Sequence, residues 1–222
     1  RDAMLKHETF PRFAEDVSTF MVNTLLLSSD VVMDHKEKKE LVKKFISPDL
    51  CDITEKLVLM EPYMDLYDRN NVYAPNRDFV KKELYEDEAL RLEVSKLKFR
   101  FMTDAQALLH GDLHTGSIFI RQDSTKIFDC EFGTYAPMGY DVGNVVANLI
   151  FAYDNGLSAD DGPFCDWCLK TIEETVDLFI EKFSRKYDEA VTEPMAKVKG
   201  FKEWYFGGIL KDTAGYAGTE LH

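Results

Sequence analysis

The stretch Leu109 to Leu149, LHGDLHTGSIFIRQDSTKIFDCEFGTYAPMGYDVGNVVANL, decides how the 222-residue chain is read. Short apolar segments at Ala107–His110, Ser117–Arg121 and Lys126–Phe128 are separated by polar turn residues, which reads as three short strands. Two acidic sites stand at strand ends: Asp112 inside His110-Gly111-Asp112, and Asp129 with Glu131 inside Asp129-Cys130-Glu131. Phosphoryl transfer needs a carboxylate that takes the acceptor hydroxyl's proton, and oxygen ligands for Mg²⁺. Asp112 suits the first role and the Asp129/Glu131 pair the second. If the segment after the third strand stays extended, alternation puts Asp129 and Glu131 on one side and Cys130 on the other. Either acidic site alone reads more readily as turn or cap chemistry; together, in this order along the chain, they favour the functional reading.

Outside this stretch the helical period dominates. From Pro11, Phe13, Val17, Phe20, Met21 and Leu25 form one face, and a charged helix is expected over Lys36–Ile46. Ser47-Pro48-Asp49 opens another helix toward Met60, Tyr67–Asp78 reads as a loop, and one long helix is expected from Asp78 to Thr103. The period returns over Tyr140–Tyr153, Phe164–Phe183 and Lys199–Ala214. The fold class is α+β, mainly α, with residues 107–133 as a β insertion that carries the chemistry.

Composition narrows the function classes. With 27 Lys+Arg against 40 Asp+Glu the net charge is −13, which repels phosphate backbones and anionic lipid, so neither nucleic acid nor membrane is an expected partner. No apolar run approaches a bilayer span, and four scattered cysteines fit a reducing, cytoplasmic address. Cys165-Asp166-Trp167-Cys168 lies within a helical pattern with no second pair, so it reads as core, and Trp204-Tyr205-Phe206 reads as packing.

H-G-D-L-H followed by D-x-E resembles the small-molecule kinase group that includes aminoglycoside and choline kinases. In that group the fourth residue after H-G-D-L is typically an Asn metal ligand; here it is Ser117, within H-T-G-S-I. That departure, D-C-E, and Ala136-Pro137-Met138-Gly139-Tyr140-Asp141-Val142-Gly143 resemble the C-terminal lobe of the methylthioribose kinases in particular. The resemblance implies a protein-kinase-like fold and ATP-dependent phosphorylation of 5-methylthioribose at its C1 hydroxyl, with ATP and Mg²⁺ as cofactors and a homodimer as the assembly. It implies that Asp112 is the catalytic base, Asp129 and Glu131 the metal ligands, and His110, His114, Ser117 and Asp141 the supports of the catalytic loop, Asp141 by accepting backbone N–H groups.

The resemblance also implies an N-terminal nucleotide lobe and an arginine pair after a G-T-E-L segment. Residues 1–222 contain no glycine-rich loop, and Gly218-Thr219-Glu220-Leu221 is followed by His222, so the chain is expected to be a single C-terminal lobe, a fragment in which the substrate-binding arginines are missing. Three other readings stay open: a choline, aminoglycoside or homoserine kinase-like enzyme, a non-catalytic binding remnant, and a binuclear metallophosphoesterase suggested by Gly111-Asp112-Leu113-His114. The last lacks the histidines its metal site requires, since the chain has only His7, His35, His110, His114 and His222.

Overall fold

The computed structural model describes residues 2–222. After a short helix α1 (Asp2–Leu5), α2 (Phe13–Leu25) buries Phe13, Val17, Met21 and Leu25, the face expected from their spacing. Helix α3 (His35–Phe45) starts at Asp34, whose side chain accepts from the Lys36 and Glu37 N–H groups, and ends on Lys43 and Lys44, which suit the negative end of its dipole. Helix α4 (Pro48–Ile53) has Pro48 at its first position, where the missing N–H is harmless, and runs on into a π-helical turn over Thr54–Val58. Ser47 stands at the cap position, but its side chain makes no cap hydrogen bond.

The long helix expected over residues 78–103 is instead two. A 3₁₀ turn at Ala74–Asn76 leads into α5 (Arg77–Val80) and a π-helical turn at Lys81–Tyr85; the chain then breaks before α6 (Glu88–Thr103). The physical reason is Asp87, which leaves the helical conformation and accepts from the Leu90 N–H as the N-cap of α6. An acidic side chain within a charged helical pattern can equally cap a new helix, and periodicity does not register that choice.

The expected three strands are four. β1 (Ala107–Leu108) pairs antiparallel with β4 (Tyr135–Ala136), which the sequence reading lacked, and β2 (Ile118–Ile120) pairs with β3 (Thr125–Ile127). The buried Lys38 helps fix where β1 begins: its ammonium donates to the Ala105 carbonyl at 2.5 Å and the Gln106 carbonyl at 3.1 Å, and pairs with Asp30.

Three long helices complete the chain: α7 (Gly139–Ser158), α8 (Gly162–Ala190) and α9 (Phe201–Glu220). α7 is central, packed on α9 and on α8, and α8 carries α2. The core between them holds Phe164, Cys168, Phe179 and Phe183 of α8, each such large apolar side chain contributing about 1.5–3 kcal/mol by leaving water. Among the described residues no helix is long and apolar enough to cross a membrane.

The α7–α9 crossing depends on two glycines one turn apart. A Cβ at Gly139 would stand 2.6 Å from the Thr213 nitrogen, and one at Gly143 2.7 Å from the Ala217 nitrogen. These obstacles are backbone, which no side-chain rotation can move. Gly143→Ala should therefore lower stability by at least ~1 kcal/mol in urea titration, the overpacking cost exceeding the helix-propensity gain. Gly207→Ala, on the open face of α9 where nothing lies within 4 Å, should instead be neutral or stabilising by up to ~1 kcal/mol. Equal effects at the two positions would contradict the close approach.

Candidate active site

β1 delivers the chain into Leu109-His110-Gly111-Asp112, and every N–H of that turn is committed. Leu109 donates to the Thr134 carbonyl at 2.8 Å, extending the β1–β4 pairing. His110 and Gly111 donate to the two carboxylate oxygens of Asp141, at 2.7 and 3.0 Å. The Asp112 N–H donates to His110 Nδ1 at 3.3 Å. With Nδ1 accepting, the ring proton of neutral His110 belongs on Nε2, which donates to the Phe128 carbonyl at 2.8 Å. One imidazole thus ties the Asp112 turn to the residue before Asp129.

Gly111 closes the same junction. Its φ is +84°, and a Cβ there would lie 2.1 Å from the Phe132 carbonyl oxygen, so both the conformation and the space require glycine. The Asp112 turn therefore lies against the 128–132 segment with backbone touching backbone.

Asp112 itself keeps 45% of its side chain exposed, open to a ligand yet held by its backbone. His114 Nδ1 accepts from the Gly116 N–H at 2.8 Å, which leaves the proton on Nε2, 3.4 Å from an Asp112 carboxylate oxygen. Ser117 is buried, and its carbonyl accepts from the Phe128 N–H at 3.1 Å, a second tie between the two segments. The expected strand alternation at Asp129–Glu131 is not present. Asp129 takes the left-handed conformation (φ 66°, ψ 46°), and Cys130–Phe132 form a 3₁₀ turn, so no extended segment exists there to sort side chains onto two faces. Asp is among the few side-chain-bearing residues that tolerate this region. Asp129, Cys130 and Glu131 are all exposed.

As donors, Asp129 and Glu131 suit Mg²⁺, a hard cation that usually takes one or two protein carboxylates and draws its remaining ligands from phosphate and water. Among the described residues no group of three or more His, Cys, Asp and Glu side chains is arranged to hold a metal without such help. Asp141, completely buried, has its carboxyl pushed up to about 6 by desolvation, with the His110 and Gly111 N–H groups pulling the other way.

Beside His114 opens a cavity of about 450 Å³, walled by Met4, Leu5, Asn148 and Phe151 and floored by Glu220 from the last turn of α9. Glu220 sits in a low-dielectric surrounding with Asp112 nearby, and both effects push its carboxyl up, to about 7.

Against known families, residues 47–163, more than half of the chain and including the whole His110–Asp141 region, match the model described as phosphotransferase enzyme family. The chain belongs to that family. Among its curated relatives, the phosphotransferase chain is 38% identical over 221 residues to the methylthioribose kinase of Geobacillus sp. (strain WCH70), 37% to that of Bacillus cereus (strain 03BB102) and 36% to that of Exiguobacterium sibiricum. Each alignment covers all of this chain and 54–55% of the relative, so the chain spans about half the length of the proteins it matches.

Two features of this candidate site carry no signal in the sequence. Glu220 stood only inside a G-T-E-L run, and nothing along the chain signals that the end of α9 returns to Asp112. Asn148, whose Oδ1 accepts from the Thr115 N–H at 3.2 Å, stood in an apolar helical stretch and fixes the turn after His114. Elsewhere the core reading of Cys165 and Cys168 agrees with their burial as free thiols. The aromatic set divides: Phe206 stacks on Phe183 with ring centroids 4.9 Å apart, whereas Trp204 is 70% exposed.

The buried Asp141 carboxyl has a measurable pH signature. Because its folded pKa is raised, the native state keeps a proton that the unfolded chain has released at pH values between about 4 and about 6. The stability of the wild type relative to Asp141→Asn should therefore fall as pH rises through that window and level off above it. At neutral pH the variant should lose activity, since one of the two N–H donors then lacks an acceptor. Urea midpoints measured across pH test this; a pH-independent difference would contradict a raised Asp141.

Proposed function

We propose that this chain supplies the chemical half of an ATP-dependent small-molecule kinase that phosphorylates the C1 hydroxyl of 5-methylthioribose. The observation that carries the reading is the junction at Gly111: a half-exposed carboxylate on an immobilised turn, in backbone contact with a turn that carries two exposed carboxylates. Phosphoryl transfer depends mainly on positioning and charge stabilisation, so a rigid frame is what the chemistry requires. The 36–38% identity to methylthioribose kinases supports the choice of acceptor.

In this reading Asp112 accepts the proton of the attacking hydroxyl and orients its oxygen. His114, its Nε2–H directed at Asp112, holds that carboxylate's charge in place. His110 and Asp141 act through the backbone, keeping the turn from relaxing as the proton moves. Asp129 and Glu131 are the residues that would hold Mg²⁺, which when bound neutralises charge on the transferring phosphate. The nucleotide-covering lobe belongs to sequence outside residues 1–222, and these residues form one lobe with 107–133 as its chemical insert. The proximity of Asp112 and Glu220 favours one alternative acceptor, a cationic amino alcohol, because two neighbouring carboxylates attract positive charge.

In the full-length protein, Asp112→Asn should lower kcat by on the order of 10² or more with little change in nucleotide or acceptor affinity. Glu131→Gln should raise the Mg²⁺ concentration needed for half-maximal rate, with partial rescue at high Mg²⁺. Steady-state kinetics in both variables checks the pair. A kcat within a few-fold of wild type for Asp112→Asn would reduce Asp112 to a turn residue and defeat the proposal.

A further inference from the structure

A second cavity, of about 800 Å³, lies away from the two acidic turns. It is bounded by the first turns of α9, the end of α6, Gln106 at the entry to β1, and Asp30 and His35 around the start of α3. Trp204 on its wall and Glu220 near Asp112 stand toward opposite ends of one helix, roughly 24 Å apart at about 1.5 Å per residue. No residue placed around Asp112 lines this cavity.

One wall is aromatic. The Phe201 ring centroid lies 5.3 Å from that of Trp204 and 5.7 Å from that of Tyr205, the i, i+3, i+4 spacing that brings three rings to one side of α9. Trp204 is 70% exposed, so most of its ring still faces water.

The remaining walls carry carboxylates whose counter-ions are spent. Lys38 is committed to Asp30 and to the Ala105 and Gln106 carbonyls, and His35 Nε2 lies 3.1 Å from Glu193. Arg100 is shared: Nη1 donates to Asp212 Oδ1 and Nη2 to Asp104 Oδ2, the latter at 3.1 Å. Asp212 is buried, and its Oδ2 has no hydrogen-bond partner among the described residues. One guanidinium thus serves two carboxylates and leaves a buried acceptor unsatisfied, a state that folded proteins seldom keep. Burial pushes the Asp212 carboxyl up while Arg100 pulls it down, as expected for a charge only partly compensated. Lys39 makes no ion pair among the described residues, its ammonium lying 3.4 Å from the His35 carbonyl.

We propose that this cavity binds a small primary alkylammonium ion, its ammonium on Asp104 and its alkyl chain over the rings of Phe201 and Trp204. The exchange accounts for the orphaned oxygen. An ammonium that donates to Asp104 releases Arg100 Nη2, and the guanidinium, already on Asp212 Oδ1, then reaches both oxygens of Asp212 as a bidentate pair. The ligand gains a charge-assisted hydrogen bond and cation–π attraction to Trp204, and the protein gains a partner for a buried acceptor. A net charge of −13 favours cations over anions at such a site. The site goes beyond the kinase reading and does not depend on it, because no residue assigned to phosphoryl transfer takes part.

Titration of the protein with n-butylammonium chloride, followed by tryptophan fluorescence and by thermal melting, tests the assignment. n-Butanol and sodium butyrate are the neutral and anionic probes of matching chain length, and sodium chloride controls for ionic strength. Wild type should give a saturable change in emission and a rise in melting temperature with butylammonium, and neither with the other three. Asp104→Asn should weaken butylammonium binding by about tenfold or more. Trp204→Leu, followed by melting because it removes the reporter, should weaken it several-fold while its ligand-free melting temperature stays close to wild type. Excess ATP, Mg²⁺ and 5-methylthioribose should leave the titration unchanged. No saturable response to butylammonium, an equal response to butanol or butyrate, or wild-type affinity in Asp104→Asn or Trp204→Leu would each overturn the site. Displacement of butylammonium by 5-methylthioribose would place the cation beside Asp112 instead and would overturn it as well.

Discussion

Burying the carboxylate of Asp141 completely, at the start of α7, is costly unless hydrogen bonds replace its lost hydration. The two donors that do so are the consecutive N–H groups of His110 and Gly111, and much of the candidate site follows from that exchange. Two adjacent N–H groups can point at one carboxylate only if the chain turns sharply, and the turn is made by Gly111 with its positive φ. Once the turn is set, His110 is placed to accept from Asp112 and donate to Phe128, and the Gly111 backbone meets that of Phe132. The register between the two acidic segments is a consequence of one buried charge.

The same helix links the turn to the opposite side of the site. Asp141 is two residues from each of Gly139 and Gly143, so α7 holds the Asp112 turn on a different side from the one on which its glycines let α9 approach. α9 in turn ends at Glu220. Side-chain-free contacts leave the helices little freedom to slide, and that rigidity fixes the separation between Asp112 and Glu220 more firmly than loops would.

The residue types gathered at this candidate site are more legible in the sequence than their geometry. Asp112, Asp129 and Glu131 stand out by residue type and order, His110 and Asp141 only through the family resemblance, and the helices α2, α7, α8 and α9 by period. Local competition defeated the reading elsewhere. Asp87 capped a new helix where periodicity alone implied continuity, and Asp129 entered the left-handed region where alternation required an extended chain. The two-residue strand β4 is too short for any pattern, and exists because β1 offers its edge. Glu220 was invisible because its significance comes from burial and from Asp112, more than a hundred residues away along the chain.

In the proposed reaction the γ-phosphoryl group of ATP passes onto one hydroxyl of a small sugar. The most direct measurement is ³¹P and ¹³C NMR of the product formed by the full-length protein from ATP, Mg²⁺ and 5-methylthioribose. The account predicts one phosphate monoester, with coupling to the sugar C1. Release of inorganic phosphate alone, or phosphate on another carbon, would contradict it.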